Sequence, residues 1–386
     1  MKKSLIFLSA LLTVSIFSCK KDATEATNNN NSYFVNYTEA EKVAKHYNAG
    51  HNAFSIKEKE ISNYIVYKKG DVITHYAFNY TNGGFMLVSA DKRVELCQAY
   101  NETENNLVEL ALLPNGVNGW MDDAQTSVVN VNGSAKESIY NAKRWERFLS
   151  IQIPNTKKLA PIELPIEDGS DGCGNGYSEQ YELSGVPNWD QGCGYNDFCP
   201  STNNSNCAGS FCNKRPTGCG ATAAAEIIRF HKKGTYCDWN NMSTYTGSVP
   251  TAQLMKNVGT LVNMQYTCAG SFPLLGASTM TNSFGSYGLS ASWTGNNIYD
   301  VAYNQIKWGK PVMFSGYEAS VTGGANLTKG HIWVAQGVHS YGNNCYGGKQ
   351  FFMNWGWGGY LNGWYSSLCV SGSCFNKLQK VYTITP

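Results

Sequence analysis

The pattern of apolar and polar positions predicts a small domain in the first part of the chain. Residues 38–49 carry apolar side chains at helical spacing, with Thr38 as the predicted N-cap and Glu41 three positions later, as in a capping box. Residues 64–94 alternate between apolar and polar side chains and contain a glycine-rich turn, as a meander of strands does. We therefore predict a small α+β domain over residues 33–150.

The pattern changes in the second part of the chain. Residues 151–185 are rich in proline, glycine and acidic side chains, which predicts an exposed linker of the kind that proteases cut. Residues 186–386 begin with loops and one alanine-rich helix and continue as strand-like segments. A length of 386 residues accommodates two domains with their own cores, and we expect the second domain here.

The N-terminus has the features of an export signal. Two lysines precede an apolar run at residues 5–17, which is too short to span a bilayer as a mature helix. The run ends in IFSC, which resembles a bacterial lipobox although its phenylalanine is bulkier than usual. We predict a signal peptide over 1–18, a flexible polar tether over 19–32 and lipidation at Cys19, with plain secretion as the alternative. The expected location is the outer membrane or cell surface, or the medium, with a lipid as the only contact with a membrane.

Charge and cysteine content narrow the function further. A net charge of +2 with 15% charged residues leaves no basic footprint for nucleic acid. An exported chain with thirteen cysteines is expected to form disulfides, and Cys97 and Cys219 are the candidates for free thiols. The cysteines lack the paired spacing and nearby histidines of a zinc site, so we expect no metal and no cofactor. Ten cysteines are predicted to form five disulfides: Cys173, Cys193, Cys199, Cys207, Cys212, Cys237, Cys268, Cys345, Cys369 and Cys374. Their pairing stays open, apart from a plausible local pair between Cys369 and Cys374.

One cysteine has the setting of a nucleophile. Cys219 lies between Gly218 and Gly220 at the head of a predicted helix over 221–230, with Thr217 as the candidate N-cap. The free N–H groups and the dipole of a helix N-terminus favour a thiolate, which is the nucleophilic form of cysteine. The flanking glycines allow another backbone, such as that of a substrate, to approach closely. The structural alternative is a buried or bridged cysteine that merely starts a core helix.

A reactive thiolate needs a base, and histidine is the usual one. His231 lies on the same helix about 18 Å away and cannot reach the thiol. His331 and His339 lie on one predicted strand about 26 Å apart, so only one of them can face it. Folding this strand onto the next as a hairpin centred near residue 343 pairs His331 with Asn354 or Trp355, whereas His339 gains no such partner.

The residues around this hairpin complete a candidate site. The Asn354 amide is expected to hold the His331 imidazole in the tautomer that faces the thiol, and Trp355 or Trp357 is expected to shield the pair from water. The Gln191 amide could join the Cys219 backbone N–H in binding the oxyanion of a tetrahedral intermediate. Taken singly, each of these features also has a structural explanation: a core histidine, a tight aromatic turn or a solvated loop glutamine.

Together these residues resemble the streptopain family of secreted cysteine proteases, within the papain-like superfamily. The segments that carry the resemblance are WDQGCGYN from Trp189, TGCGATAAAEIIRFH from Thr217, LMKNVGTLVNMQY from Leu254, GKPVMFSGY with GHIWVAQG, and NWGWGGYLNGWY from Asn354. Upstream, GGFMLVSADKR from Gly83 resembles the inhibitory propeptide of that family. The resemblance covers nearly the whole chain after the signal.

The resemblance implies an α+β fold in which a papain-like catalytic domain follows a small α+β prodomain. That catalytic domain has two subdomains: a helical part carrying Cys219 and a twisted antiparallel sheet carrying His331. The family roles make Cys219 the nucleophile and His331 the base, Gln191 an oxyanion donor, and Asn354 with Trp355 the support for His331. The remaining support or cleft residues are Trp357, Gly218, Gly220 and Gly330.

The implied protein is a zymogen that hydrolyses peptide bonds. Its prodomain would act as an intramolecular inhibitor that holds the histidine away from the thiol until the linker over 151–185 is cut, and its partners would be protein or peptide substrates. The sequence departs from the family at Gly220, usually apolar, at Glu226, usually glutamine, and at Gln336, often aspartate. The alternatives are an inactive protease-like surface protein that binds peptides or acts as an inhibitor, and a disulfide-rich adhesin.

Overall fold

A computed structural model describes residues 32–386 apart from 52, 104–105, 153–161, 164–175, 235–236, 274–275, 320–324, 344–346, 368, 371–372 and 375–376. The predicted signal peptide, the tether up to residue 31, the lipidation site at Cys19 and most of the linker lie outside the described residues. Within the described ranges, none of the helices has the length and apolar content needed to cross a bilayer.

Helices form where small or long unbranched side chains repeat at helical spacing and a cap is available. The first helix is capped by Asn36, whose side chain accepts from the Glu39 N–H while Glu39 accepts from the Asn36 N–H. The predicted cap at Thr38 was therefore wrong, because the same capping spacing occurs two residues earlier. The helices are α1 Tyr37–His46, α2 Asn115–Val129, α3 Lys136–Ser150, α4 Cys219–His231, α5 Val249–Leu261, α6 Ala277–Gly285 and α7 Ile298–Lys307.

The strands follow the alternating and aromatic-rich segments. In the first part they are β1 Tyr47–Asn48, β2 Ala53–Phe54, β3 Ile61–Lys69, β4 Val72–Tyr80, β5 Phe85–Ser89, β6 Cys97–Asn101, β7 Ile162–Glu163 and β8 Tyr177–Glu182. In the second part they are β9 Met264–Gln265, β10 Phe272–Pro273, β11 Ser290–Thr294, β12 Val312–Ala319, β13 Ala325–Gly342, β14 Gly347–Asn354, β15 Gly363–Ser366, β16 Cys369–Val370, β17 Ser373–Cys374 and β18 Lys377–Thr385.

One antiparallel sheet runs through both predicted domains. In the described part of the chain it has eleven strands, in the order β11-β18-β12-β13-β14-β15-β6-β5-β4-β3, with β8 paired to β13. The domains meet where β15 pairs with β6, with Trp364 opposite Tyr100 and Tyr365 opposite Ala99. The predicted α+β class, with helices against a large antiparallel sheet, is confirmed.

The end of the predicted linker is paired with the sheet. The six residues of β8 lie antiparallel to residues 337–342 of β13, and the Leu183 N–H donates to the Gln336 carbonyl. Glu179 of β8 accepts from the Tyr303 hydroxyl and from the Lys307 ammonium group on α7. This part of the 151–185 segment is therefore a strand, where the sequence predicted only an exposed linker.

The described residues form three apolar cores that differ in which domains contribute to them. One core is built only from the second domain and surrounds α4, with Ala224, Ile228 and Met255 fully buried in it. A second core is shared, because side chains of α2 such as Val117 and Trp120 pack with Trp355 and other residues of the second domain. The third lies under α1 and α3 and consists of first-domain residues with Trp364.

The described cysteines only partly match the predicted pairing. Two disulfides, Cys193–Cys212 and Cys207–Cys268, join loops close to the start of α4. Cys97 and Cys219 are free, as predicted.

Two of the ten cysteines predicted to be bridged are also free. The Cys199 thiol faces the Tyr266 hydroxyl, and Cys237 lies beside Tyr287, so neither meets a second thiol. Cys173, Cys345 and the side chains of Cys369 and Cys374 lie outside the described residues, although the backbones of the last two are paired between β16 and β17.

Candidate active site

Helix α4 begins at Cys219 because Gly218 provides a turn that other residues rarely adopt. Gly218 has φ +89°, and a Cβ built there would lie 2.1 Å from the Met264 Cε and 2.6 Å from the Ser271 carbonyl oxygen. Gly218 is therefore the N-cap. The predicted cap, Thr217, instead directs its hydroxyl to the Thr222 hydroxyl at 2.9 Å.

The glycines beside Cys219 are packed by the protein itself. A Cβ at Gly220 would lie 3.1 Å from the Met280 Cε and 3.3 Å from the ring of Pro273. The space next to Gly218 and Gly220 is thus filled by side chains and backbone, where the sequence suggested room for a substrate. Gly330, the third predicted cleft glycine, is half-buried on β13 opposite Tyr317.

The Cys219 thiol is held in a buried position at the helix start. Its side chain is 9% exposed, and burial raises the pKa of the thiol. The backbone N–H groups of Ile332, Gly220 and Cys219 itself lower this pKa, because they stabilise the thiolate. Two influences therefore oppose each other, and desolvation is the larger one in this arrangement.

His331 lies among aromatic rings on β13. Its imidazole stacks on Trp357 with ring centroids 5.7 Å apart and an interplanar angle of 7°, and it also faces Trp333 and Trp355. Its Nε2 donates to the Trp355 carbonyl oxygen at 2.9 Å. Burial lowers the pKa of His331 to about 4, although the Trp355 carbonyl acts in the opposite direction. Within the described residues, no hydrogen bond joins this ring to the Cys219 thiol.

The hairpin register differs from the predicted one. Asn354 pairs with Val334, and a bulge between Ala335 and Gly337 shifts the strands further along. The paired part of the hairpin runs from Val334 opposite Asn354 to Gly342 opposite Gly347, so His331 falls outside it. His339, which was expected to lack a partner, faces Gln350 on β14, and its Nε2 lies 2.9 Å from the Ser178 hydroxyl of β8.

Asn354 and Gln191 are buried, and their described hydrogen bonds go to groups other than the His331 ring. The Asn354 Nδ2 donates to the Pro187 carbonyl at 2.7 Å, and its Oδ1 accepts from the Gly356 N–H and the Asn362 amide, each at 3.2 Å. The Gln191 Nε2 donates to the Gly356 carbonyl at 3.2 Å. Together these bonds join the loop of Gln191 to the aromatic turn that follows β14.

The first domain reaches the site through the N-terminus of α2. A Cβ built on Gly116 would lie 2.3 Å from the His331 Cδ2 and 3.0 Å from the Trp355 Cε3. Only a glycine allows this approach without a shift. Sequence reasoning missed Gly116, since the segment around it carries no chemical motif and the contact joins positions more than two hundred residues apart.

These features define a class: an α+β protein in which a free cysteine starts a helix beside the strand of a buried histidine, and an N-terminal domain lies against that histidine. The sequence profile of the peptidase C10 family matches residues 189–246 and 232–365, and that of the Spi protease inhibitor matches residues 22–128. The chain belongs to the C10 peptidase family, that of streptopain, and carries an inhibitor propeptide domain, as the sequence predicted.

Two curated relatives and one solved structure are among the proteins that are similar to the chain. The thiol protease/hemagglutinin PrtT of Porphyromonas gingivalis is 24% identical over 88% of this chain, which spans only 39% of that relative. Streptopain of Streptococcus pyogenes serotype M1 is 25% identical over 75% of this chain and 73% of its own length. A mutant fragment of prointerpain A from Prevotella intermedia has a TM-score of 0.53 and 18% identity, covering 83% of this chain and 97% of its own, and shows the fold alone.

Proposed function

We propose that the protein is the zymogen of a cysteine endopeptidase in which Cys219 is the nucleophile and His331 the general base. The observation that carries this proposal is the position of Cys219, free and at the first residue of α4, with its thiol against the backbone of Ile332, the neighbour of His331. The thiol and the imidazole are thus carried by elements that pack directly on each other.

In the active form the His331 ring would turn from the Trp355 carbonyl to the thiol and take its proton. The thiolate would add to the peptide carbonyl carbon, and the Cys219 backbone N–H with the Gln191 amide would bind the oxyanion. Protonated His331 would then give its proton to the leaving amine. Water, deprotonated by His331, would hydrolyse the thioester, releasing the acid and restoring the thiol.

The support residues Asn354, Trp355 and Trp357 would orient and shield the His331 ring without contacting the substrate. Asn354 would hold the imidazole once the ring has turned, and Trp355 and Trp357 would keep water from it. In the present arrangement Trp357 already stacks on the ring, whereas Asn354 is engaged with Pro187. Activation in this proposal therefore moves the His331 ring and rearranges Asn354 while the Cys219 helix stays in place.

The inhibitory role of the domain over 33–150 is supported by the contact at Gly116. The N-terminus of α2 lies against the His331 ring and would limit its movement. The proposed maturation cut lies within 151–185, and export through the signal over 1–18, with lipidation at Cys19 or plain secretion, belongs to the same proposal.

The test is the substitution Cys219→Ala in the full chain. We expect peptide hydrolysis to fall on the order of 10⁴-fold or more, because the group that forms the covalent intermediate is missing, and we expect the precursor to stay uncleaved. Hydrolysis of casein and the mass of the chain after incubation with a mild reductant measure both effects. Cys237→Ala, which removes a free thiol outside the site, is the control and should remain active. Undiminished hydrolysis by Cys219→Ala would reject the proposal and favour another nucleophile.

A further inference from the structure

A carboxyl group is buried completely in the helix of Cys219. Glu226 lies two turns after Cys219 on α4 and has no solvent exposure, among side chains such as Ala223 and Ile227 that are also buried. Glutamate is almost never fully buried unless it is paired, because an unpaired ionised carboxylate is poorly solvated inside a protein. The position of Glu226 therefore needs an explanation in the structure around it.

Glu226 bonds to the loop that carries Gln191. Its Oε1 accepts a hydrogen bond from the Trp189 N–H at 2.9 Å. The Trp189 carbonyl in turn accepts from the Gly358 N–H at 2.9 Å, and its indole Nε1 donates to the Ser243 carbonyl. Through Trp189, Glu226 is connected both to Gln191, two residues along, and to the aromatic turn behind His331.

The same carboxyl also faces Asn354. The Asn354 amide interacts with Glu226 while it bonds to Pro187 and Asn362, and Asn362 accepts from the Trp355 N–H at 3.0 Å. The Trp355 carbonyl is the acceptor of the His331 ring. The Glu226 Oε2 has no hydrogen bond of good geometry within the described residues. The three parts of the candidate site therefore meet at one side chain.

We propose that Glu226 is a positioning residue. It holds two segments against the helix of Cys219: the Trp189–Gln191 loop, and Asn354 with the aromatic turn that follows β14. This inference rests on the proposed peptidase function and adds to it a group that touches neither substrate nor the reacting atoms. Glu226 acts through Trp189 and Asn354, and the groups that it aligns are the oxyanion donor and the support of the base.

The surroundings favour the protonated acid. Burial raises the pKa of Glu226 well above its usual value, and the bonds from Trp189 and Asn354 oppose this only in part. The ionisable groups near it are the Tyr195 phenol and, beyond that, the Asp190 carboxylate, and neither supplies a positive charge. The guanidinium of Arg229, one turn along α4, donates hydrogen bonds to the Met242 carbonyl.

The stability that Glu226 contributes decreases as the pH rises. The folded state keeps a proton that the unfolded chain releases above pH about 4.5, so rising pH favours the unfolded chain until Glu226 ionises in the folded state. Over that range the unfolding equilibrium constant increases about tenfold per pH unit relative to a variant without the acid. Glutamine has the shape and the hydrogen-bond donor of the protonated acid and cannot ionise.

The experiment compares Glu226→Gln, Glu226→Leu and the matched control Ile227→Val in the full chain after processing. We expect Glu226→Gln to keep kcat near the wild-type value and to retain activity at higher pH than the wild type. We expect Glu226→Leu to lower kcat about 10²-fold with a smaller change in KM, because misplaced groups slow the chemical step. Ile227→Val changes the same buried helix face without touching Trp189 or Asn354 and should keep its kcat.

The outcomes separate this inference from the proposed function. A wild-type protein that hydrolyses no peptide and whose Cys219 resists iodoacetamide would overturn both. An active wild type with Glu226→Leu at full kcat would overturn only the role of Glu226. The same holds if Glu226→Gln is as slow as Glu226→Leu, or if its pH profile matches that of the wild type.

Discussion

The half of the site that carries Cys219 and the half that carries His331 are built differently. The core around α4 contains only residues of the second domain, and two disulfides join the loops beside it. The core beneath His331 contains residues of both domains, including Val117 and Trp120 of α2 together with Trp355. The thiol half is therefore complete by itself, whereas the histidine half is completed by the inhibitor domain.

For the proposed zymogen, this difference would explain how the precursor is held inactive without disturbing the Cys219 thiol. The inhibitor domain continues the sheet at β6 and places Gly116 against the His331 ring, so its removal would change the surroundings of His331 first. The helix of Cys219 keeps its glycine cap and its own core. Activation on this view is a local rearrangement of one half of the site.

The largest effect is expected from Trp120→Ala in α2. The indole is buried, packs edge-on against Tyr365 at 4.9 Å and donates to the Ser366 carbonyl at 3.1 Å. Loss of this packing should lower the free energy of unfolding of the proenzyme by about 5 kcal/mol, the upper end for such a truncation, because the Ser366 carbonyl also loses its donor.

Denaturant unfolding in the Cys219→Ala background, where self-cleavage is prevented, measures this loss. Hydrogen exchange should increase in β13 to β15 and remain low in α4, since only the histidine half loses a partner. Equal increases in both halves would contradict the division of the cores.

The second prediction concerns the disulfides of the thiol half. Replacing Cys207 and Cys268 by alanine opens a loop of 61 residues and should lower the free energy of unfolding by about 4 kcal/mol in the chain-entropy description. Faster exchange is expected in α4 and α5, with β4 to β6 unchanged. Cys237→Ala, which removes a thiol that is already free, is the control. If hydrogen exchange increased most in β4 to β6, the assignment of this disulfide to the thiol half would be wrong.

The sequence predicts the thiol half better than the histidine half, for a physical reason. Helix α4 is encoded locally, by small side chains and by the glycine before Cys219, and the helix predicted over 221–230 is observed at Cys219–His231. The capping box of α1 is just as local, although Asn36 rather than Thr38 makes it. The α+β class and the C10 family also followed from local motifs.

The histidine half depends on contacts between distant segments. Asn354 lies opposite Val334, and the register shifts at a bulge between Ala335 and Gly337. No residue pattern in the strand predicts this bulge. The contact of Gly116 with His331 and the bond of Glu226 to Trp189 depend on how the domains and loops pack. The roles predicted for Cys219, His331 and their supports stay predictions until the variants above are measured.

A third prediction tests the histidine half by pH. His75 of β4 is fully buried, neither ring nitrogen has a hydrogen-bond partner within the described residues, and burial lowers its pKa to about 3. Below pH about 6.5, His75 is protonated in the unfolded chain but stays neutral in the folded protein. The free energy of unfolding therefore falls with decreasing pH. Between pH 6.5 and 5 the loss is about 2 kcal/mol at this residue.

His75→Phe removes the titration and keeps a ring of similar size. Urea unfolding of both proteins at pH 7 and pH 5 gives the comparison, in the Cys219→Ala background. His331 and His339 titrate in both proteins, so their contributions cancel in the difference. An identical pH dependence of the two proteins would show that His75 is not the acid-sensitive group of this domain.

The smallest effect is expected from Gly116→Ala, at the contact between the inhibitor domain and the His331 ring. The added methyl group meets the His331 ring and must displace it or α2, which costs about 1–3 kcal/mol, while the better helix propensity of alanine returns part of this. A net loss of about 1 kcal/mol should raise the rate of precursor processing about fivefold, because the inhibitor domain leaves its position more often. Gly133→Ala is the matched control, since its methyl group would meet only the flexible Arg93 side chain at 3.3 Å. Mass spectrometry of the chain over time reports both variants, and processing of Gly116→Ala at the wild-type rate would mean that the approach of α2 to His331 does not limit activation.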